Sequence, residues 1–262
     1  MGPPTYLMRV EEVIGYLEAY FPLSLQEGWD NSGLQVSPKD NSIKGILLAL
    51  DITDNTLNEA IELGCNLVIA HHPLIFSSTK KIFNDFYPFN VVYKAIENGI
   101  GIYAFHTNLD IAEGGLNDYL CDLLNLSDVQ IIQEHKPLRI GVLKRDYTID
   151  EFAAFVKERL KIDTVKVVKA SDRPIRKVAV CSGSCMDLLN DIKALDFDLF
   201  LSGDLKHHIA IFAKETGINV IDATHFHTEK FSKNILFKLL KDRFKGLRVF
   251  ISERDELPWK YL

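Results

Sequence analysis

Ile43-Lys44-Gly45-Ile46-Leu47-Leu48-Ala49-Leu50, a segment of helical period, and then Asn66-Leu67-Val68-Ile69 form the stretch that decides the fold. Two short apolar runs, each ending at polar or turn residues and joined by a helix-period segment, read as strand, helix and parallel strand. The same unit recurs. Ile175-Arg-Lys-Val-Ala-Val-Cys-Ser182, a helix, and Asp198-Leu-Phe-Leu201 lie on the first copy without a gap, so that Leu57 matches Leu189, Leu63 matches Leu195 and Leu67 matches Leu199. Just beyond, Gly99-Ile-Gly-Ile102 resembles Gly217-Ile-Asn-Val220. In both copies the second strand runs into a polar cluster, His71-His72 in one and Gly203-Asp204-Leu205-Lys206-His207-His208 in the other.

Working outward, strands are predicted at 43–51, 66–71, 100–106, 138–143, 175–181, 198–202, 218–222 and 247–251. Helices are predicted at 10–20, 55–63, 89–98, 116–124, 149–160, 188–195, 209–215 and 229–243. Thr148 with Glu151 three residues on reads as a capping box. This is an α/β pattern. The fold expected is two related α/β/α lobes with mixed sheets and a metal cleft between them, since open α/β sheets place ligands at strand ends. Residues 1–126 and 217–262 are expected to form a metal-binding lobe and 127–216 a second lobe. Residues 1–7, rich in turn formers and followed by Met8, are left out of this reading.

The 262 residues are 47% hydrophobic and 25% charged, enough apolar material for a real core and typical of a soluble globular chain. A net charge of −6 and the absence of a basic stripe or helix-turn-helix signal disfavour nucleic acid as a partner. No apolar run approaches the roughly 20 residues that span a bilayer, so no membrane partner is expected. The four cysteines, 65, 121, 181 and 185, lie in or beside apolar runs in a chain without a secretory signature, which suggests a reducing cytoplasm.

Histidine distribution carries the chemistry. Of eight histidines, seven fall into four clusters: His71-His72, His106, His207-His208, and His225 with His227. Each cluster sits at the C-terminal end of a predicted strand or the start of the next helix. Acids stand nearby at useful spacing, in His106-Thr-Asn-Leu-Asp110 and His225-Phe-His-Thr-Glu229. Residues four apart on a helix share a face, so His225 and Glu229 suit one ion while His227 points elsewhere. Imidazole with carboxylate favours Zn²⁺, Fe²⁺, Mn²⁺ or Co²⁺ over Ca²⁺, and such a set with a bridging carboxylate suits two ions.

Other signals are weaker. No phosphate-binding P-loop, H-E-x-x-H or dinucleotide-binding glycine motif is present. Cys181-Ser-Gly-Ser-Cys185 has a redox or metal look, although a strand-to-helix turn of small residues is the simpler reading. Gly114-Gly115 before a helix, Lys80-Lys81 and Lys230 are ordinary turn and surface residues that also suit phosphate.

At these residues the chain resembles the family of GTP cyclohydrolase 1 type 2 homologs, also called NGG-one-interacting-factor-like proteins. The matching blocks are Glu27-Gly-Trp29-Asp30-Asn31-Ser-Gly33-Leu34-Gln35-Val36, Ala70-His71-His72-Pro73-Leu74, His106-Thr107-Asn108-Leu109-Asp110, Ser202-Gly203-Asp204 with His208, and His225-x-x-x-Glu229. They occur in family order from Met8 onward, without the large insert some members carry. The resemblance implies a two-metal site with His72 and Asp110 on one ion, His71 and His225 on the other, and Glu229 bridging. It places Trp29, Asp30 and Asn31 at or near the wall of that site. It also implies a homohexamer built as a trimer of dimers. The chain departs from the family where Ala223-Thr224 replaces the glycine usual before the ligand histidine.

Two functions follow as expectations. The first is a metal-dependent hydrolase acting on a small nucleotide or phosphoester, with His106 or His208, cluster histidines outside the ligand set, carrying protons. The second is a non-catalytic metal-binding ring protein that serves as scaffold or regulator. An open coordination position distinguishes the first from the second.

Overall fold

A computed structural model of the chain describes residues 8–260. The first seven residues, set aside in the sequence reading, lie outside the described residues. Along the chain run α1 (Val10–Tyr20), β1 (Gly33–Val36), β2 (Ile46–Ala49), α2 (Asp54–Glu62), β3 (Leu67–Ala70), α3 (Phe89–Glu97), β4 (Gly101–Ala104) and α4 (Thr107–Ile111). Then follow α5 (Leu116–Leu123), β5 (Ser127–Ile131), β6 (Arg139–Tyr147), α6 (Ile149–Leu160), β7 (Lys166–Val168), β8 (Ile175–Val180), α7 (Leu189–Ile192), β9 (Leu199–Ser202), α8 (His207–Thr216), β10 (Asn219–Asp222) and α9 (His225–Glu229). The chain ends with α10 (Ser232–Arg243) and β11 (Val249–Ile251).

Two compact units result, Met1–Ala112 with Ser232–Leu262, and Glu113–Phe231. The first holds a five-stranded sheet in the order β1-β4-β3-β2-β11, parallel except for β1. The second holds a six-stranded sheet in the order β5-β6-β8-β9-β10-β7, with β8, β9 and β10 parallel and the others antiparallel. The fold is α/β with two mixed sheets. In the second sheet alternate residues face opposite ways, as the pleat requires. Val178, Val180, Leu199, Leu201 and Ile221 pack with apolar residues of α5 and α6, whereas Ala179, Phe200 and Val220 pack with Leu189, Ile192, Ile209 and Ala213 of α7 and α8. This unit is therefore a three-layer sandwich.

The repeat read from the sequence extends to the pairing register. Ile46 pairs Leu67 in the first sheet, and a shift of 132 positions gives Val178 pairing Leu199 in the second. Leu67 pairs Gly101, and Leu199 pairs Asn219. The order β1-β4-β3-β2 has its counterpart in β7-β10-β9-β8, each opened by an antiparallel strand. Even the five-residue helices after β4 and β10, α4 and α9, fall in corresponding positions.

Several details differ from the sequence reading. The chain passes into the second unit after Ala112 and leaves it at Phe231, because Leu120, Cys121 and Leu124 join the core of the second sheet and β10 pairs with β9. Residues 113–126 and 217–231, expected in the metal-binding lobe, thus belong to the other unit. Strands β1, β5 and β7 were not predicted. β5 is mostly exposed and carries too little apolar alternation to be read as a strand. The helix expected at 229–243 starts at Ser232, a separate helix from α9. The capping box is present, with the Thr148 hydroxyl accepting from the Glu151 amide at 3.2 Å and the Glu151 carboxylate accepting from the Thr148 amide at 2.7 Å.

Candidate metal centre

In the first unit, His71 and His72 follow β3 directly. Their amides donate to the carbonyls of Ala49 and Leu50, which prolongs the β2–β3 ladder and fixes where the two side chains leave the sheet. His71 is fully buried, and its Nδ1 lies 2.8 Å from the Phe105 carbonyl oxygen. A carbonyl only accepts, so Nδ1 carries the proton and Nε2 presents its lone pair. His72 Nδ1 lies 2.8 Å from Asp51 Oδ1, and His106 Nδ1 lies 2.6 Å from Asp30 Oδ1. Each carboxylate selects the same tautomer in its histidine. The ring centroids of the three imidazoles stand 5.0 to 5.5 Å apart, and the three offer donor atoms close enough to share one ion.

Asp110 approaches this group from α4, with its Oδ1 3.7 Å from His71 Nε2. The first turn of α4 is closed by the Asp110 amide donating to the His106 carbonyl, so the spacing His106-x-x-x-Asp110 is also the geometry of a helical turn. Asp30 is the anchor of the neighbourhood. It accepts from the Thr107 amide at 3.1 Å and the Ser32 hydroxyl at 2.8 Å, and also from the Thr107 hydroxyl. Burial disfavours its charged form, but the bonds from His106, Thr107 and Ser32 outweigh burial and hold the carboxyl far below the ordinary carboxylate range.

In the second unit, α9 places His225 and Glu229 on one face, with His225 Nε2 2.9 Å from Glu229 Oε2. His225 Nδ1 lies 2.8 Å from Asp204 Oδ2, so both ring nitrogens of His225 face carboxylate oxygens, and a cation between Nε2 and Glu229 would leave the Nδ1 proton with Asp204. Asp204, just past β9, corresponds in the repeat to His72, just past β3. Glu229 is buried, and its pocket depends on glycine. A Cβ on Gly183 would lie 2.1 Å from Glu229 Oε1, and one on Gly203 would lie 2.5 Å from the His225 amide nitrogen. Gly183 also needs its φ of +67°.

Thr224 belongs to the Ala223-Thr224 pair that stands in place of the glycine usual in the resembling family, and its backbone is one that favours glycine. Its φ is +61° with ψ of 151°, a region nearly confined to glycine and costing about 1–3 kcal/mol for other residues. The threonine hydroxyl offsets part of that cost by capping α9, accepting from the His227 amide at 3.2 Å. His227 points away from the ligand face, as its place between His225 and Glu229 requires. Its Nδ1 lies 2.8 Å from the Thr224 hydroxyl, and burial lowers its pKa to about 4.

The remaining expected residues separate. His208 is exposed in the first turn of α8, and among the described residues no hydrogen bond joins it to either group above. Lys230 donates to the Leu160 carbonyl, a structural contact. Cys181 and Cys185, most simply read as a turn, are joined as a disulfide in that turn, while Cys65 and Cys121 are buried thiols that burial pushes up to about 11 and about 12. Residues that the sequence reading did not single out are Asp51, Ser32, Thr107 and Gly183. Of these, Ser32, Thr107 and Gly183 stood within quoted stretches, and only their neighbours drew notice.

The donor set fits divalent ions of the Zn²⁺, Fe²⁺, Mn²⁺ or Co²⁺ kind. In the first unit three imidazoles are turned by carboxylate or carbonyl partners so that Nδ1 carries the proton, with the buried Asp110 beside them, and in the second unit His225 stands beside the buried Glu229. Among the described residues, no helix is long and apolar enough to cross a membrane.

Comparison with known proteins gives a consistent picture. The family model described as Duf34/NIF3 (NGG1p interacting factor 3) matches residues 8–258. A GTP cyclohydrolase 1 type 2 homolog of Clostridium perfringens is 32% identical over 267 aligned positions, covering 97% of this chain and 100% of the relative. Among solved structures, a hypothetical protein of Staphylococcus aureus is 28% identical with a TM-score of 0.88, covering 98% of this chain and all of that one. Reduced HcgD from Methanocaldococcus jannaschii is 31% identical with a TM-score of 0.85, covering 95% of this chain and 99% of that one.

Proposed function

The chain belongs to the Duf34/NIF3 family, and from that premise we propose that it is a dinuclear metal-dependent hydrolase acting on a nucleotide or another small phosphoester. In this reading His72 and Asp110 would hold one ion, His71 and His225 the other, and Glu229 would contact both. The observation that carries it is the common orientation of the histidines: His71, His72 and His225 each have Nδ1 engaged by an oxygen acceptor, the arrangement that prepares Nε2 for a metal. Divalent ions held there supply Lewis-acid charge and the means of ionising water near neutral pH.

The chain's own residues do the rest. Asp51 and Asp204 hold His72 and His225 in register, and the Phe105 carbonyl does the same for His71. His106, held by Asp30 and outside the five-ligand set, carries a proton between the reacting group and solvent at its Nε2. His208, exposed at the start of α8, is the second candidate for proton transfer. The assembly is a homohexamer arranged as a trimer of dimers, working in the cytoplasm.

The family's own description favours a second reading. The family description names an interaction, with NGG1p, rather than a reaction. A ring protein in which the ions are structural would serve as scaffold or regulator. The two are separated by assaying metal-loaded and metal-stripped protein against a panel of nucleotides and phosphoesters. Turnover that appears only with metal supports the hydrolase, and a loaded protein inert to every compound supports the scaffold.

A further inference from the structure

Trp29 and Phe76 are large exposed rings held in place beside the histidines of the first unit. Trp29 is 61% exposed and Phe76 50%, with ring centroids 5.9 Å apart and planes inclined at 57°. Both meet His106 edge to face, at 5.9 Å and 6.2 Å. His106 in turn stands 5.3 Å from His71 and 5.5 Å from His72. The two exposed rings therefore lie against His106, one member of the imidazole cluster.

A network of hydrogen bonds ties the segments that carry them. The Asn31 side-chain amide donates to the Ile75 carbonyl at 2.6 Å, and the Gln35 side-chain carbonyl accepts from the Ile75 amide at 3.0 Å. Gln35 also donates to the Asn31 carbonyl at 2.7 Å. Asp30, next to Trp29, is bound to His106 and Thr107. These bonds fasten the Trp29 segment to the Phe76 loop without burying either ring. Leaving two aromatic faces in water costs hydrophobic free energy that a covering ligand returns.

We propose that Trp29 and Phe76 form a stacking subsite for the planar heteroaromatic ring of the ligand processed at the histidine cluster. The inclined pair offers one face for offset stacking and a second ring for an edge contact, the arrangements aromatic rings prefer. A purely anionic guest leaves both rings uncovered, and a purely apolar one leaves the imidazole edge without a polar partner. A heteroaromatic ring bearing a polar or phosphorylated group satisfies both ends. This rests on the hydrolase reading for what happens to the ligand, whereas recognition of the ring is independent of turnover.

The test is calorimetric titration of the Mn²⁺-loaded full chain with AMP and with ribose 5-phosphate, which lacks only the base. Wild type is expected to bind AMP at least about tenfold more tightly, as stacking on an aromatic side chain provides. Trp29→Ala should erase that preference, Trp29→Phe should keep part of it, and Phe76→Ala should reduce it, all with unchanged bound Mn²⁺. Equal binding of the two compounds by wild type, no binding of AMP at millimolar concentration, or a preference that survives Trp29→Ala overturns the proposal. A ring preference without hydrolysis of any phosphoester leaves the subsite standing and removes the hydrolase; hydrolysis without a ring preference does the reverse.

Discussion

Gly183 lies directly beneath the carboxylate of Glu229: a Cβ on the glycine would come within 2.1 Å of Oε1. The same loop is tied to α9 by the Gly183 amide, which donates to the Thr228 hydroxyl at 2.9 Å. Gly183→Ala is therefore expected to displace the buried carboxylate and to strain a residue whose φ is +67°. Overpacking and left-handed strain together cost about 2 kcal/mol or more. A lower melting temperature with at least one divalent ion lost per chain is the expected result. A variant that melts like wild type and keeps its full metal content removes Gly183 from the account of the site.

The metal content itself is the second prediction. The five imidazole and carboxylate ligands proposed exceed what one ion of this type takes, so loading and desalting should leave about two ions per chain. Glu229→Gln should lose at least one, since a neutral amide bridges poorly. His135→Ala, outside every cluster, should lose none. Elemental analysis decides it, and content near zero with Zn²⁺, Mn²⁺, Fe²⁺ and Co²⁺ alike rules out the metal reading.

The third concerns pH. Burial lowers the His227 pKa to about 4, so between the unfolded value near 6.5 and about pH 4 the unfolded chain binds the extra proton. The depressed folded pKa makes this contribution complete above pH 6.5 and lost as pH falls through that window. The slope attributable to one such group approaches ~1.4 kcal/mol per pH unit. Denaturant unfolding of metal-free wild type and His227→Gln from pH 7 to 4 should show a shallower loss in the variant. Parallel profiles show that His227 does not contribute.

These residues also show what a single sequence reveals. The duplication was legible because strand pairing in a parallel sheet preserves spacing: the match of Ile43 with Ile175 in the sequence reappears as Ile46 pairing Leu67 and Val178 pairing Leu199. The histidines were legible because only eight occur and they gather at strand ends, and the two acids because each stands four residues after a cluster histidine. What stayed hidden is set by long-range contact. Asp51 looks like any strand-end acid until the fold brings it to His72, and Gly183 looks like a turn glycine until α9 lays Glu229 over it. The unit boundary was misplaced for the same reason: nothing local in 219–222 says that this strand pairs with 199–202, yet that pairing gives His225 and Glu229 to the second unit.

The last prediction separates residues that orient ligands from residues that move protons. Asp204 Oδ2 accepts from His225 Nδ1, and Asp204 itself has a φ of +60°. Asp204→Asn keeps a carbonyl acceptor and a residue that tolerates this backbone region, so the ions should remain at saturating metal. Affinity should fall by about 10- to 100-fold, as expected when a ligand histidine loses its charged partner. His208, exposed and outside both ligand groups, has a different role in the hydrolase reading. His208→Ala should leave both metal content and metal affinity unchanged while lowering turnover. Metal titration of both variants, paired with rate measurements on any phosphoester the wild type hydrolyses, distinguishes the outcomes. Loss of ions from either variant at saturation shows that the ligand set is wrong. Turnover unchanged in both makes Asp204 and His208 structural, and with them the case for proton transfer from the second unit falls.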